Sequence, residues 1–158
     1  RAPVARLRHG QATLCRIADA FGVTLAQLVE LSDGSMVRVV DPSEVVRLWQ
    51  GAEGSGGDLL VGTDRGEHVE LWRWRLAPGD RHDSEGHVDG TRELIAVLAG
   101  TLTLEAGDEA HEVAAGGAVL FDARGPHAYV NERKRPLDLV LVVVQPPVLD
   151  PSAPSHPT

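Results

Sequence analysis

Two spacings of apolar residues follow one another along the chain, and the change between them falls near residue 33. In residues 13–31 apolar side chains recur every three or four positions, as on one face of a helix, at Leu14, Ile17, Ala18, Phe21, Leu25, Leu28 and Val29. Gly22 divides the series where a helix commonly ends, and Thr24 with Gln27 matches the capping box that begins a second helix. The pattern predicts two short helices in this segment.

The rest of the chain is predicted to form a series of short strands. After Gly34, runs of β-branched and aliphatic residues are separated by Gly, Pro and Asp, which is typical of a sandwich or barrel. The predicted strands are Met36–Val40, Val45–Trp49, Val69–Leu76, Leu94–Leu98, Thr101–Glu105, Ala118–Phe121, His127–Asn131 and Leu137–Val144. Leu139–Val144 has no polar face, so we expect it in the centre of a sheet, whereas residues 51–58 are interpreted as a connection. Both faces of Val69–Leu76 are mixed, so the pattern does not assign its buried side.

The composition favours an ordinary globular domain with an aliphatic core. The chain has 158 residues, 42% hydrophobic but only 4% aromatic. A single cysteine, Cys15, excludes an internal disulfide framework and indicates a reducing compartment, so we expect a cytoplasmic protein. No apolar run reaches the roughly 18 residues of a membrane span, and we expect no membrane partner. The tail from Pro146 is rich in proline and is predicted to be disordered.

The charge is unevenly divided along the chain. The total of −8 is a poor match to a polyanion such as DNA. Residues 1–31, however, hold four arginines against two acidic residues and carry +2, whereas the remainder holds 11 basic and 21 acidic residues and carries −10. The split indicates that the two parts face different partners.

Three residues are candidate metal ligands. His87 and Glu93 are six positions apart across a polar turn, and His127 begins a later predicted strand. Two imidazoles and a carboxylate are a common ligand set for a divalent transition metal such as Zn, Ni or Fe. The alternative is a metal-free cluster, in which the two histidines hydrogen-bond with Glu93 and Asn131 serves a turn.

The same residues carry a family resemblance. The first cupin motif is matched in order and spacing by His87, Asp89, Glu93 and Gly100, and the second by Gly117, Gly125, His127 and Asn131. Residues 65–145 therefore resemble a cupin domain, which implies a double-stranded β-helix, or jelly roll, with metal ligands at His87, Glu93 and His127. The motif's second histidine is Asp89 here, which can still offer an oxygen ligand, and a usual proline is Ala123.

Residues 13–28 resemble the last two helices of a λ-repressor-like helix-turn-helix domain of the xenobiotic-response-element class. The resemblance rests on Thr13-Leu14, Ile17-Ala18, Ala20-Phe21-Gly22-Val23 and Leu25 to Leu28. In that fold the recognition helix precedes this segment, so we expect residues 4–10 to be a remnant of that helix and its following turn, with Arg6 and Arg8 as the candidate phosphate contacts. The alternative is an amphipathic clasp that packs on the barrel or on a second subunit.

These observations predict a mainly β protein with a short all-α segment at its amino end. Its parts would be residues 1–33, an incomplete helix-turn-helix domain; residues 34–145, the cupin domain; and residues 146–158, the disordered tail. The predicted function is a transcriptional regulator that binds operator DNA as a homodimer and senses a small-molecule effector or a metal in its barrel. Trp72, Tyr129 and Asn131 are the predicted pocket residues.

Two other functions stay open at this point. The first is a metal-dependent cupin enzyme of the oxygenase, isomerase or epoxidase type, because two histidines and a carboxylate leave coordination positions open. The second is a metal-free binding module, in which Trp72 or Trp74 lines an apolar pocket and His127 supplies a hydrogen bond.

Overall fold

The structure, a computed structural model, describes Ile17 and residues 37–63 and 68–146. Within those ranges the chain forms ten β-strands. Their bounds are β1 Val46–Trp49, β2 Gly56–Gly62, β3 His68–Leu76, β4 Arg81–Ser84, β5 Arg92–Ala99, β6 Thr101–Ala106, β7 Glu109–Ala114, β8 Ala118–Asp122, β9 His127–Val130 and β10 Leu137–Gln145. Several predictions lie outside the described residues: the two helices except for Ile17, the residues Cys15, Arg6 and Arg8, and the tail from residue 147.

The strands form two antiparallel sheets. Six strands lie in the order β1-β2-β3-β10-β5-β8, and four lie in the order β4-β9-β6-β7. Side chains from both sheets, among them Trp74, Leu104, Tyr129 and Leu139, are buried in one hydrophobic cluster. This arrangement confirms the mainly β jelly roll expected from the sequence. In the part of the chain that the structure describes, no helix has the length and hydropathy needed to cross a membrane.

The central strand and its neighbour show how the core is built. β10 lies between β3 and β5, as its lack of a polar face predicts. Along β3, Trp72 and Trp74 are buried while Arg73 and Arg75 are exposed, so the indole face is the one that packs inward. Because alternate residues of a strand point to opposite faces, this register also turns Glu70 into the barrel.

The sequence pattern does not predict three of the observed strands, and it predicts one strand whose described residues adopt no strand. Residues 37–40 adopt no strand, whereas β2, β4 and β7 do form. In β2, a Cβ atom at Gly57 would lie 2.9 Å from the Trp74 ring, so glycine is needed for the indole to pack against the strand. β4 is short and polar, and β7 is an exposed edge strand, so neither has the apolar alternation that identifies a half-buried strand.

A buried carboxylate ties three strands together on the outer face of the larger sheet. Asp58 on β2 accepts hydrogen bonds from Arg47 Nε on β1 at 2.6 Å and from Arg73 Nη2 on β3 at 2.9 Å. Burial of the Asp58 carboxyl raises its pKa, but the two guanidinium groups outweigh this effect and leave the pKa below its ordinary value. Ionised Asp58 therefore stabilises the folded state.

We predict that Asp58→Asn destabilises the protein by about 2 kcal/mol at neutral pH, since it removes charge-assisted hydrogen bonds to a buried group. The lowered pKa means that this contribution is present above the unfolded-state value near 3.8 and disappears as the pH falls through the folded-state value. Urea unfolding of both proteins between pH 7 and pH 3 measures the difference. A gap that stays constant over this range would contradict the assigned role.

Candidate metal centre

The two sheets bring His87, Glu93 and His127 together. His87 lies in the loop before β5, Glu93 is the second residue of β5, and His127 is the first residue of β9 in the other sheet. One ligand atom from each residue lies within 4.8 Å of the others. His87 is partly buried, and Glu93 and His127 are buried. Three of the four predicted ligands therefore form a single cluster between the sheets.

Backbone hydrogen bonds hold the His87 loop in place. His87 N–H donates to Ala123 O at 2.9 Å, and Ala123 N–H donates to Thr91 O at 3.0 Å. Thr91 N–H in turn donates to Val88 O at 3.1 Å, which closes the turn between His87 and Glu93. Ala123, in the segment after β8, thus bonds to both ends of this loop. These bonds fix the backbone positions from which His87 and Glu93 project.

The two oxygen atoms of Glu93 have different partners. Oε1 lies 3.0 Å from His87 Nε2 and 3.5 Å from His127 Nε2, so both imidazoles converge on it. Oε2 accepts a short hydrogen bond from the Tyr129 hydroxyl. The Glu93 side chain is 1% exposed, and these groups therefore replace water around the carboxylate.

His127 provides the test of whether a metal ion fits the cluster. Its Nδ1 lies 3.0 Å from Gly125 O, and because a carbonyl only accepts, Nδ1 must carry the proton. Nε2 then presents a lone pair when the ring is neutral, yet it is buried, makes no hydrogen bond within the described part of the chain and faces Glu93 Oε1. A lone pair and a carboxylate repel unless a proton or a cation lies between them. The donor set and this unpaired atom fit a divalent transition metal.

The charge states of the cluster follow from its surroundings. Burial raises the pKa of Glu93, but the imidazoles of His127 and His87 outweigh it and lower the pKa to about 2. Burial lowers the pKa of His127, but Glu93 more than compensates and the net shift is upward. Burial, together with the Glu93 charge, raises the pKa of Tyr129 well above its usual value. At neutral pH the site therefore contains a carboxylate and a neutral phenol.

Of the other predicted site residues, Tyr129 contacts the cluster through Glu93, whereas Asp89, Trp72 and Asn131 do not belong to it. Asp89 is exposed and does not belong to the three-residue cluster. Trp72 is buried in the core, where its Nε1–H donates to Glu70 Oε2 at 3.1 Å. Asn131 is fully buried, and its amide group bonds only to backbone atoms: Nδ2 donates to Leu76 O and Arg135 O, and Oδ1 accepts from Arg133 N–H. The geometry of Asn131 is that of a turn residue.

Several residues of the site were missed by the motif analysis. Thr91, two positions before Glu93, is fully buried, and its hydroxyl has no hydrogen-bond partner among the residues that the structure describes. His82 packs against Trp74, with ring centroids 4.5 Å apart, and its pKa falls to about 4 because the ring is buried and lies near His127. Phe121 contacts the His127 ring edge-on at 5.1 Å. The alternation of β5 signals Thr91, but nothing in the sequence signals the contacts of His82.

One glycine lets the two ligand-bearing loops approach each other. Gly86 has φ of 97°, and a Cβ atom there would lie 2.4 Å from Arg124 O and 2.9 Å from Gly125 O. Gly125 O is the same carbonyl that orients His127. A side chain at position 86 would therefore push apart the backbones that carry His87 and His127.

We expect Gly86→Ala to cost about 2 kcal/mol in folding free energy, because it combines a left-handed backbone with a clash against backbone atoms. Metal affinity should fall by about tenfold, as for the loss of other interactions that orient ligands. Chemical unfolding and metal titration measure the two effects. Gly54 is a matched control, since it also has positive φ, 89°, but nothing lies within 4 Å of the added carbon; Gly54→Ala should leave metal affinity unchanged.

Comparison with known proteins identifies one domain. Residues 72–144 match the family described as Cupin_2, cupin domain. No curated protein matches the chain.

Solved structures of a regulator and of an enzyme share the fold. A transcriptional regulator of the HTH_3 family from Vibrio cholerae is 19% identical, with a TM-score of 0.58 over 86% of this chain and 72% of its own. The polyketide cyclase RemF from Streptomyces resistomycificus is 21% identical, with a TM-score of 0.51 over 69% of this chain and 80% of its own. The Cupin_2 domain of an XRE family transcriptional regulator from Enterobacter cloacae is 28% identical, with a TM-score of 0.48 over 49% of this chain and 82% of its own.

Proposed function

Residues 72–144 form a cupin domain, and from that premise we propose that the protein is a cytoplasmic DNA-binding transcriptional regulator whose barrel is its sensor. The observation that carries the sensor role is the buried cluster of His87, Glu93 and His127, in which His127 Nε2 lies 3.5 Å from Glu93 Oε1 and makes no hydrogen bond to any described residue. Such a cluster is costly to leave unsatisfied, because a buried polar atom without a partner loses its interaction with water. Binding of a metal ion, alone or with a small effector, removes that cost.

Three atoms would hold the ion: His87 Nε2, Glu93 Oε1 and His127 Nε2. A divalent transition metal such as Zn, Ni or Fe would supply open coordination positions for an oxygen or nitrogen atom of an effector. Gly125 O orients the His127 ring, and the backbone of Ala123 positions His87. Glu93 and His127 belong to different sheets, so an ion held by both would link the two sheets.

DNA binding is assigned to the amino-terminal segment. Support comes from its resemblance to a helix-turn-helix domain and from its charge of +2, against −10 in the remainder. Arg6 and Arg8 are the proposed phosphate contacts. A homodimer would match the two half-sites of an operator, and a ligand that favours one arrangement of the dimer must alter operator affinity.

A retardation assay tests this function. The full-length protein should bind the DNA upstream of its own gene at low salt, with an affinity that changes when the metal is removed by a chelator. Arg6→Ala combined with Arg8→Ala should weaken binding and reduce its salt dependence, whereas Arg124→Ala on the exposed surface of the barrel should not. Absence of binding by the wild-type protein would contradict the regulator.

A metal-dependent cupin enzyme is the second candidate, and the donor set favours it. Two imidazoles and one carboxylate leave room for both a substrate and a second ligand on the same ion. Oxygen consumption or product formation with a panel of small carboxylates and polyketides separates the two functions. Steady turnover that is lost in His127→Ala would support the enzyme and contradict the proposal of a regulator.

A further inference from the structure

The Tyr129 hydroxyl binds one of the two oxygen atoms of the Glu93 carboxylate and leaves the other to the histidines. Both histidine nitrogens lie on the side of Oε1, whereas Oε2 is taken by the Tyr129 hydroxyl. The two residues are 36 positions apart and belong to different sheets. This hydrogen bond therefore connects the two sheets, and it is made by the oxygen of Glu93 that is not the proposed metal ligand.

Tyr129 is itself held firmly. The residue is 2% exposed, and its ring packs edge-on against Trp74 with centroids 5.5 Å apart. The rings of His82 and His127 each lie 5.7 Å from it. On β9 its backbone pairs with Leu104 of β6 on one side and with His82 of β4 on the other. Because the ring is enclosed on several sides, the hydroxyl cannot leave Oε2 without repacking the core.

We propose that Tyr129 is a positioning residue that makes Glu93 a one-oxygen metal ligand, through Oε1, and so keeps an additional coordination position free for the effector. The inference rests on the proposed metal site. A carboxylate with both oxygens free can bind an ion through one or two atoms, and a hydrogen bond to one oxygen favours the one-atom mode.

The consequence concerns the class of effector. On an ion that takes six ligands, such as Ni or Fe, three protein atoms would leave three positions, and adjacent open positions suit a small chelating ligand with two oxygen atoms. If Oε2 also bound the ion, one of these positions would be lost. Tyr129 thus favours a chelating carboxylate, such as a dicarboxylate or a 2-oxo acid, over a ligand with one donor atom.

The variant Tyr129→Phe tests the proposal, because it keeps the ring and removes only the hydroxyl. Thr103→Val is the matched control: Thr103 is also buried and its hydroxyl donates to Glu132, away from the cluster. Each protein is loaded with Co²⁺, whose visible spectrum reports coordination number, and is then titrated with oxalate as a two-oxygen probe. Circular dichroism verifies that each variant is folded.

We expect Tyr129→Phe to change the Co²⁺ spectrum, to weaken Co²⁺ binding by about 10- to 100-fold and to weaken oxalate binding further. Thr103→Val should match the wild type in all three. A Tyr129→Phe protein that shares the wild-type spectrum and both affinities would overturn the positioning role alone. Wild-type protein that binds no Co²⁺ would instead overturn the metal site and this inference together.

A crystal structure of the Co²⁺-loaded wild-type protein tests the same point without a variant, should Tyr129→Phe fail to fold. The expected result is a Co²⁺ ion bonded to Glu93 Oε1, with Oε2 still accepting from Tyr129 and outside the coordination sphere. Glu93 bound through both oxygens would overturn the proposal.

Discussion

His127→Ala should weaken binding of a divalent transition metal by more than about 100-fold, the upper range for losing an interaction that only orients a ligand. The expected loss is large because the variant removes Nε2, the atom proposed to bind the metal, in a ring that the hydrogen bond between Nδ1 and Gly125 O already orients towards Glu93 Oε1. Competition titration against a chromophoric chelator measures the affinity. His111→Ala is the control, since His111 is 54% exposed and pairs only with Glu109; it should bind metal like the wild type.

The same titration has a predicted pH dependence. A metal ion must displace any proton on His127 Nε2, so protonation competes with binding. Glu93 raises the pKa of His127 above its ordinary 6.5, and metal affinity should therefore begin to fall at a pH above that value as acid is added. Affinity that is independent of pH between 8 and 5.5 would contradict the use of this nitrogen.

Trp74→Ala should cause the largest loss of folding stability of the variants discussed, about 3–5 kcal/mol. The Trp74 side chain is 1% exposed, and its ring contacts Trp49, Trp72, His82 and Tyr129 at centroid distances between 4.5 and 6.0 Å. Truncation would leave a cavity among these rings, since glycine at position 57 supplies no side chain that could fill it.

Urea unfolding measures the Trp74 effect, and two further variants sharpen it. Trp74→Phe should cost less than Trp74→Ala, because the indole Nε1–H makes no hydrogen bond to the described residues and only packing area is lost. Val39→Ala, at a position 85% exposed, should change stability by less than about 0.5 kcal/mol. Equal costs for Trp74→Ala and Val39→Ala would show that the rings do not form a close-packed core.

The sequence predicted a strand's position best where the polarity of its two faces is unambiguous. Leu139–Val144 lacks a polar face, and β10 is indeed central in the larger sheet. Val69–Leu76 mixes polar and apolar residues on both faces, because Arg73 serves an ion pair with Asp58 and Glu70 lies inside the barrel. A buried charged residue such as Glu70 breaks the rule that polar residues mark the exposed face of a strand. Which face of β3 is buried therefore depends on the strands that pack against it.

The site was predictable in its ligands but not in their supports. Spacing and family resemblance single out His87, Glu93 and His127, which the structure brings together. Asp89 has the right spacing for a ligand, yet its position in the turn leaves it exposed. The hydrogen bond between Tyr129 and Glu93 crosses between the sheets, and local sequence patterns contain no signal for such a contact.

Anomalous scattering from crystals grown with Zn²⁺ or Ni²⁺, collected at the metal's absorption edge, is the decisive measurement for the metal site. We expect one strong peak within about 2.0–2.2 Å of His87 Nε2, Glu93 Oε1 and His127 Nε2. A cluster without a peak, or a peak elsewhere in the barrel, would contradict it.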